Sequence, residues 1–239
     1  MKTEGKRLKH YFRTIIASSL GGFLILLVNS ALAIQINSQT LRYSVEYARQ
    51  NAGELEVVID NKDDQLSVTT ISHLSLLAKM FLTAQTSTAF FSVQDGQFHL
   101  TNGADYLQKD GSLIRDFEVN KTAQSITLLG GETTTTEPDQ LLDADSFPIG
   151  LMTSEIKMLA GKTVRVVSGK RTRLYRYRAP EEEELDTNSG KLNTWKITRE
   201  RMDSPQNTVT FWLDQNNNHI PVKIITSKKG KETLLTLTK

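Results

Sequence analysis

Regular alternation of apolar and polar residues is the feature that most constrains how this chain can fold. Residues 41–47, LRYSVEY, place an apolar side chain at every second position, and residues 55–59 repeat the pattern around one exception, Val58. A period of two is typical of strands that are buried on one face and hydrated on the other. Further strand-like segments are residues 65–71, 89–93, 97–101, 114–120, 124–129, 163–168, 173–178, 182–186, 194–199, 208–213, 220–226 and 233–238.

Turn-forming residues separate these segments. Gly follows Asp at residues 95–96, and Ser-Gly or Lys-Gly pairs stand at residues 168–169, 189–190 and 229–230. Such pairs favour tight turns between antiparallel strands. So many short strands predict one antiparallel sheet that must curl or close on itself.

Two apolar segments depart from the alternation. Residues 72–84, SHLSLLAKMFLTA, carry an apolar stripe at helical spacing, and residues 146–160, SFPIGLMTSEIKMLA, follow a cap at Asp145 or Ser146 and stop at Gly161. Both patterns predict helices, and helices this apolar need burial. The predicted fold is therefore mainly β, of the α+β type: a curved antiparallel sheet or incomplete β-barrel with two apolar helices on its concave side.

The first 33 residues are typical of a secretory signal peptide. Basic residues dominate residues 1–13, an apolar run occupies residues 15–28, and Ala31 and Ala33 stand where signal peptidase selects small side chains. The run is shorter than the roughly 20 residues that span a bilayer, so an uncleaved anchor is the weaker alternative. We predict export, cleavage after residue 33, and a single β-rich domain over residues 34–239 with no transmembrane span.

The composition of the remaining chain excludes several classes of protein. Loss of residues 1–33 removes five basic residues and one acidic residue from a chain of net charge +2, which leaves a net charge near −2. That balance argues against nucleic-acid binding. The chain has no cysteine, so neither a disulfide scaffold nor a lipid anchor on cysteine is expected. An exported protein without disulfides fits the periplasm of a Gram-negative bacterium.

Several motifs in the C-terminal half resemble an exported bacterial family, the domain of unknown function DUF3108. They are Glu-x-Leu-x-Thr-x-x-Gly at residues 183–190, Thr-Trp-Lys at residues 194–196, and Trp-Leu, a polar turn and Ile-Pro-Val within residues 212–222. The opening LRYSVEY and the segment DADSFPIGLM fit the same layout. The resemblance implies an architecture similar to the periplasmic lipoprotein carriers, in which helices cover the apolar cavity of an incomplete β-barrel. It implies no catalytic residue.

A loop in the last third of the chain begins like a calcium site. Residues 214–218 are Asp-Gln-Asn-Asn-Asn, but a calcium loop of the EF-hand type needs Gly at its sixth position and Glu at its twelfth. His219 and Ile225 stand there instead, so we predict a hairpin turn. His73 and His99 lie far from His219 in the sequence, and no pair has the spacing of a helical zinc site. No metal and no other cofactor is expected.

No catalytic constellation stands out either. The chain has no Gly-x-Ser-x-Gly elbow, and the acidic run at residues 181–184 is typical of a hydrated sheet edge. We expect a protein that is not an enzyme. An active site assembled from distant residues is the alternative that stays open.

The basic and aromatic segment at residues 168–180 offers one binding candidate. Alternation places Arg173, Tyr175 and Tyr177 on one face, where guanidinium groups beside aromatic rings could bind a phosphate or a sugar. The alternative is ion pairing between this strand and residues 181–184, if the two segments are neighbours in the sheet.

The predicted helices offer the other candidate, because flexible methionines suit a surface that repacks around apolar ligands. The residues predicted to bind a ligand are Leu77, Met80, Phe81, Met152, Ile156, Arg173 and Tyr175. The leading hypothesis is a periplasmic, non-catalytic binding protein that holds a lipid or other amphiphile in an apolar pocket and acts in envelope maintenance. The alternatives are that the helices are ordinary core, and that the protein is a structural module that binds an envelope protein or polysaccharide.

Overall fold

The computed structural model of this chain describes residues 36–62, 65–80, 82–94, 97–137, 140–168, 170–187 and 190–238. The predicted signal peptide, residues 1–33, lies outside them. All described residues belong to one compact unit, residues 33–239.

In this described part of the chain, sixteen strands form one sheet. The strands are β1 Gln39–Tyr47, β2 Gln50–Lys62, β3 Gln65–Leu74, β4 Gln85–Gln94, β5 Gln97–Leu107, β6 Leu113–Asn120, β7 Ser125–Leu128, β8 Thr133–Thr135, β9 Leu141–Ala144, β10 Thr163–Val167, β11 Thr172–Tyr177, β12 Glu181–Thr187, β13 Gly190–Arg201, β14 Ser204–Asp214, β15 Pro221–Lys228 and β16 Lys231–Leu237.

The sheet extends in two directions from β1, and we call the two parts its wings. One wing runs from β1 through β2 and onward to β8 in chain order, and the other runs β1-β16-β15-β14-β13-β11-β10-β9, with β12 also paired to β13. The predicted curved antiparallel sheet is confirmed, with one parallel pair, β9 and β10. Among the described strands the sheet ends, β8 and β9, share no backbone ladder, so the sheet is curled without being closed.

Inward-facing residues of both wings fill the concave side. Tyr43 on β1, Val57 on β2, Val68 on β3 and Phe91 on β4 are all buried, as alternation requires of residues with the same phase. The Tyr43 hydroxyl donates a 2.8 Å hydrogen bond to the carbonyl of Pro221, the first residue of β15. This bond satisfies a polar group that would otherwise be costly to bury.

The loop with the Asp-Gln-Asn-Asn-Asn sequence is a hairpin turn between β14 and β15, as predicted. The Asp214 carboxylate accepts a 2.8 Å hydrogen bond from the N–H of Asn216, and Asn218 and His219 adopt the left-handed φ values of 47° and 51°. Asp and Asn side chains favour such turns. Pro221, which has no N–H to give, lies next to a register shift in the ladder.

The helix predicted over residues 72–84 is wrong. β3 continues to Leu74, a single 3-10 turn covers Ala78–Met80, and β4 begins at Gln85. The β3–β4 hairpin captures the start of the predicted helix, because the Ser72 hydroxyl accepts from the Gln85 N–H at 2.8 Å and donates to its carbonyl at 3.0 Å. Ladder pairing of the β-branched residues before it outweighs the local helical pattern.

The helix predicted over residues 146–160 is also wrong in its extent. One short helix, α1 Ile149–Met152, is followed by a 3-10 turn at Ile156–Leu159, and no side chain caps α1. Thr153 and Ser154 donate their hydroxyls to the carbonyl of Gly150, a local bond that competes with continued helix. We call residues 147–159 the inner segment, because most of its apolar side chains are buried in the interior.

The pairing of the basic and acidic segments differs from the predicted alternative. β11 and β12 do not pair with each other; both pair with β13. Glu183 on β12 therefore meets Lys196 on β13, at 2.9 Å, and Arg178 reaches Glu200 on β13, at 2.9 Å. The acidic run is neutralised by lysine from its neighbour rather than by the arginines before it.

Candidate functional site

The two wings approach each other at a seam, where β4, β5 and β6 face β9 and β10. A cavity of about 160 Å³ lies in this seam. Its lining comes from both sides: Ser87, Thr88, Ala89, Ala104, Asp105, Arg115 and Phe117 from one, and Ala144, Asp145, Ser146, Val167 and Ser168 from the other.

An ion pair on β5 and β6 forms the charged part of the lining. Arg115 and Asp105 stand opposite each other in the β5–β6 register and form a salt bridge whose side chains are 28% and 16% exposed. Arg115 also donates to the side-chain carbonyl of Gln85 at 3.3 Å. The guanidinium is therefore held at the cavity by two partners.

The opposite side of the seam presents acceptors and hydroxyls. Asp145 is exposed, and its N–H donates to the carbonyl of Val167 at 2.9 Å, which fixes the chain just beyond β9 against the end of β10. Ser146 and Ser168 line the cavity beside it. The cavity lining thus combines the Arg115–Asp105 ion pair on one side with a carboxylate and two hydroxyls on the other.

The apolar wall of the cavity depends on a glycine. A Cβ at Gly103 would lie 2.7 Å from the ring of Phe117 and 2.8 Å from the carbonyl oxygen of Thr88. Only a residue without a side chain lets the ring of Phe117, on β6, approach β5 this closely. The apolar part of the lining is therefore the Phe117 ring together with Ala89 and Val167.

A buried ion pair lies close to the seam. Arg199 on β13 and Asp143 on β9 approach to 3.4 Å between Nη1 and Oδ2, and their side chains are 6% and 1% exposed. Three strand-to-strand steps separate β9 from β13 in the sheet, so the long arginine must reach across the concave face above β10 and β11. Its guanidinium carbon stands 5.1 Å from the ring centres of Tyr175 and Phe211.

Asp143 also holds the inner segment. Its carboxylate accepts from the N–H of Ala144 at 3.0 Å and from the N–H of Gly150, at the start of α1. Burial raises the pKa of Asp143 to about 7, and the nearby Arg199 and the two N–H groups counter that rise only in part. The side chain therefore links β9, β13 and the inner segment through one carboxyl group.

The sequence pattern of the DUF3108 family, described as a protein of unknown function, matches residues 42–236, from within β1 to within β16. The chain belongs to the DUF3108 family. The match covers both wings and the seam, so the family pattern extends over nearly all of the described sheet. It confirms the resemblance seen in the motifs of residues 183–222. No curated protein shows significant sequence similarity to this DUF3108 chain.

Two solved structures are similar to this DUF3108 domain. A β-barrel-like protein of the domain of unknown function DUF1849 from Brucella abortus has a TM-score of 0.54 and 10% identity, over 86% of this chain and 97% of that chain. A domain assigned to outer membrane lipoprotein sorting, from Vibrio parahaemolyticus, has a TM-score of 0.29 and 12% identity, over 84% of this chain and 82% of that chain. The first comparison shows a shared barrel-like fold.

The predicted ligand-binding residues fall into two different environments. Leu77 and Met80 are 66% and 73% exposed on the β3–β4 loop, whereas Met152, Ile156 and Tyr175 are buried. Arg173 is half-buried on β11, and Phe81 lies outside the described residues. The six that the structure describes do not line the seam cavity. The cation over the Tyr175 ring is Arg199 instead of Arg173.

Sequence reasoning missed the charged residues of the seam and the buried pair, although two signals were available. Arg199 has the same strand phase as the buried Ile197, and a charged residue at an inward position calls for a partner. Asp105 and Arg115 flank a turn that contains Gly111 at a φ of 68°, so a hairpin register would have placed them opposite each other.

Among the residues that the structure describes, no cluster of three or more His, Asp or Glu side chains is arranged to hold a metal ion. In the same ranges, no helix has both the length and the apolar composition that crossing a membrane requires.

Proposed function

We propose that this DUF3108 protein is a non-catalytic binding protein of the cell envelope that holds an amphiphile at the seam. The seam cavity supports this proposal because it combines charged and hydroxyl groups with an apolar wall in one place. Ligand sites in proteins commonly have this composition, in which a few polar groups orient a ligand whose apolar part is buried. The proposed envelope location rests on the signal peptide predicted over residues 1–33.

The charges of the lining favour a small zwitterionic head group. Arg115 offers guanidinium N–H groups to a phosphate or carboxylate. Asp145, on the other side, offers a carboxylate to an ammonium group. A ligand with both charges matches both sides, whereas a purely anionic head would meet two carboxylates, Asp105 and Asp145, for one arginine.

The size of the cavity sets how much of the ligand it can hold. At about 160 Å³ it is smaller than the roughly 300–1,000 Å³ of drug-sized ligand sites. It therefore accepts a head group and the first carbons of a chain. A longer chain requires the seam to part and the inner segment to move, and each methylene that becomes buried contributes about 0.8 kcal/mol.

The architecture makes parting of the seam less costly than opening a closed barrel. The two wings are joined there by side-chain packing. The described strands of one wing form no backbone ladder with those of the other at the seam. The backbone hydrogen bonds of β4–β6 and of β9–β10 stay intact when the wings separate. Polar groups exposed by opening can be hydrated, so little hydrogen bonding is lost.

Filling the cavity is expected to abolish amphiphile binding. Ser87 lines the cavity and has the same strand phase as the buried Ala89, so Ser87→Phe places a ring in the space that the ligand would take. We expect its affinity for lysophosphatidylethanolamine to fall by about tenfold or more, because roughly 1.4 kcal/mol of lost contact is a tenfold change. Isothermal titration calorimetry below the micellar concentration of the lipid measures this affinity. Ala123→Phe, at an exposed turn outside the cavity, is the matched control and should bind like the wild type. Equal binding by both variants would exclude the seam as the site.

A further inference from the structure

One end of the sheet carries most of the large apolar side chains that are exposed in the described ranges. Eight of these twelve residues lie there. Met202 is in the β13–β14 turn, and the seven on β1 to β6 and their turns are called the apolar rim: Tyr47, Leu76, Leu77, Met80, Leu82, Tyr106 and Leu113. Leu76 is 84% exposed, although a leucine is ordinarily a core residue. Clustered exposed apolar side chains mark a surface that contacts another apolar phase.

Strand direction and hydrogen bonds bring the rim together. The β1–β2 turn, the β3–β4 loop and the β5–β6 turn all lie at the same end, because neighbouring strands run antiparallel. The N–H of Ser75 donates to the carbonyl of Ala52 at 2.9 Å, and the N–H of Gln108 donates to the carbonyl of Ala84 at 3.1 Å. The loop at residues 75–84 is therefore fastened at both of its ends to neighbouring elements.

Basic side chains surround the apolar rim. The β15–β16 turn reaches the same end, because the N–H of Ala48 donates to the carbonyl of Glu232 at 2.9 Å. The exposed basic residues on these turns and strand ends are Arg49, Lys79, Lys109, Lys228, Lys229 and Lys231. The acidic residues there are Glu46, Glu54, Asp110 and Glu232. Basic residues are in excess, so this end attracts an anionic surface.

We propose that the apolar rim docks the protein onto an anionic lipid bilayer. Leu77 and Met80 enter the boundary between head groups and acyl chains, and the lysines around them meet lipid phosphates. Lys79, between these two residues, keeps its methylenes beside the apolar side chains and extends its ammonium group to the head groups. The inference does not rest on amphiphile binding at the seam, which involves other residues.

The composition of the rim favours a bilayer over a protein partner. Protein interfaces are enriched in Trp, Tyr, Phe and Arg and depleted in lysine. Here five of the six basic residues are lysines and four of the seven apolar ones are Leu. The most exposed apolar residues, Leu76, Leu77 and Met80, also lie in one loop between β3 and β4, which suits insertion between lipids better than a flat interface.

Co-sedimentation with vesicles tests the proposal. The purified protein should bind phosphatidylcholine vesicles that contain phosphatidylglycerol, and it should bind pure phosphatidylcholine vesicles more weakly. Leu77→Ser together with Met80→Ser should reduce binding to the anionic vesicles by roughly tenfold. Replacing Lys228, Lys229 and Lys231 with Gln should remove much of the preference for phosphatidylglycerol. Every variant carries the same N-terminal residues, so differences between variants report on the rim.

The matched control is Leu141→Ser together with Met158→Ser, two exposed apolar residues that lie outside the rim. It should bind anionic vesicles like the wild type. Equal binding by the rim variant and this control would overturn the proposal. So would absence of vesicle binding together with a concentration-dependent dimer that the rim substitutions disperse, because the rim would then be an interface between copies of the chain.

Discussion

Asp143→Ala is expected to destabilise the domain by roughly 3–5 kcal/mol. The substitution leaves the guanidinium of Arg199 buried, with its side chain 6% exposed, and without its counter-charge. It also removes the acceptor for the N–H groups of Ala144 and Gly150. Urea denaturation followed by tryptophan fluorescence measures the loss. A variant within about 1 kcal/mol of the wild type would show that the pair is dispensable, since loss of one partner of a buried pair normally costs more.

Substitution of the other partner of the pair, Arg199→Met, is expected to destabilise the domain less than Asp143→Ala, by an amount that depends on pH. In Arg199→Met the remaining Asp143 can become neutral by taking a proton, because burial already raises its pKa to about 7 from an ordinary 3.8. A carboxyl whose folded-state pKa is raised contributes stability at low pH, and that stability is lost as the pH rises from about 4 to about 7. Without Arg199 the pKa rises further, so the loss continues above pH 7. In urea denaturation, the free energy of unfolding of Arg199→Met should lie closer to that of the wild type at about pH 5 than at about pH 8.

Gly53→Ala is expected to be the other large change, with a loss of roughly 3 kcal/mol. A Cβ at this position would lie 2.0 Å from the carbonyl oxygen of His73 and 2.8 Å from the N of Ser75. Both are backbone atoms at the end of β3, so no side-chain rotation can relieve the clash. The φ of 123° at Gly53 adds strain for any residue with a side chain. Thermal denaturation and urea titration measure the loss.

Gly190→Ala separates the effect of the steric clash at Gly53 from the effect of its positive φ. Gly190 has a similar φ of 111°, but a Cβ there meets open space. The control therefore carries backbone strain alone, and we expect it to cost about 1 kcal/mol. Equal losses in the two variants would show that close approach of the backbones at Gly53 is unimportant. Because Ser75 begins the β3–β4 loop, displacement at Gly53 should also weaken vesicle binding by the apolar rim.

Much of the sheet could be predicted from sequence because each strand carries its own signal. Alternation in residues 41–47 requires one buried and one hydrated face wherever the strand lies. The turn at residues 214–220 was also predictable, since Asp and Asn specify it locally. Pairing order was harder: the turn signal at residues 189–190 predicts that β12 pairs with β13, but no local signal predicts that β11 pairs with β13 as well.

The two helices failed for a physical reason. Residues 72–84 and 146–160 have helical spacing of apolar side chains, but isolated helices this short are marginal in water, and most helical stability comes from packing. Backbone hydrogen bonds to the neighbouring strands place residues 72–74 of the first segment in β3. Local hydroxyl bonds and the tight interior stop the second after α1 Ile149–Met152. Buried apolar side chains of the inner segment lie in the interior, in place of the long helix that the sequence predicted there.

The candidate site could be predicted least, because it forms only when distant parts of the chain meet. The seam joins β4–β6 to residues that follow β9 and end β10, and the buried pair joins residues 143 and 199. Such contacts leave no periodic trace in the sequence. The available signals were a charge at an inward strand position and opposite charges across a hairpin, and both needed a strand register to be interpreted.

Amide chemical-shift changes on titration with lysophosphatidylethanolamine test the central claim most directly. Binding at the seam predicts that the largest changes fall on residues 87–89, 104–105, 144–146 and 167–168, on both sides of the cavity. Residues of the inner segment should follow as longer acyl chains are used. Changes confined to the β3–β4 loop, or no changes below the micellar concentration of the lipid, would contradict amphiphile binding at the seam.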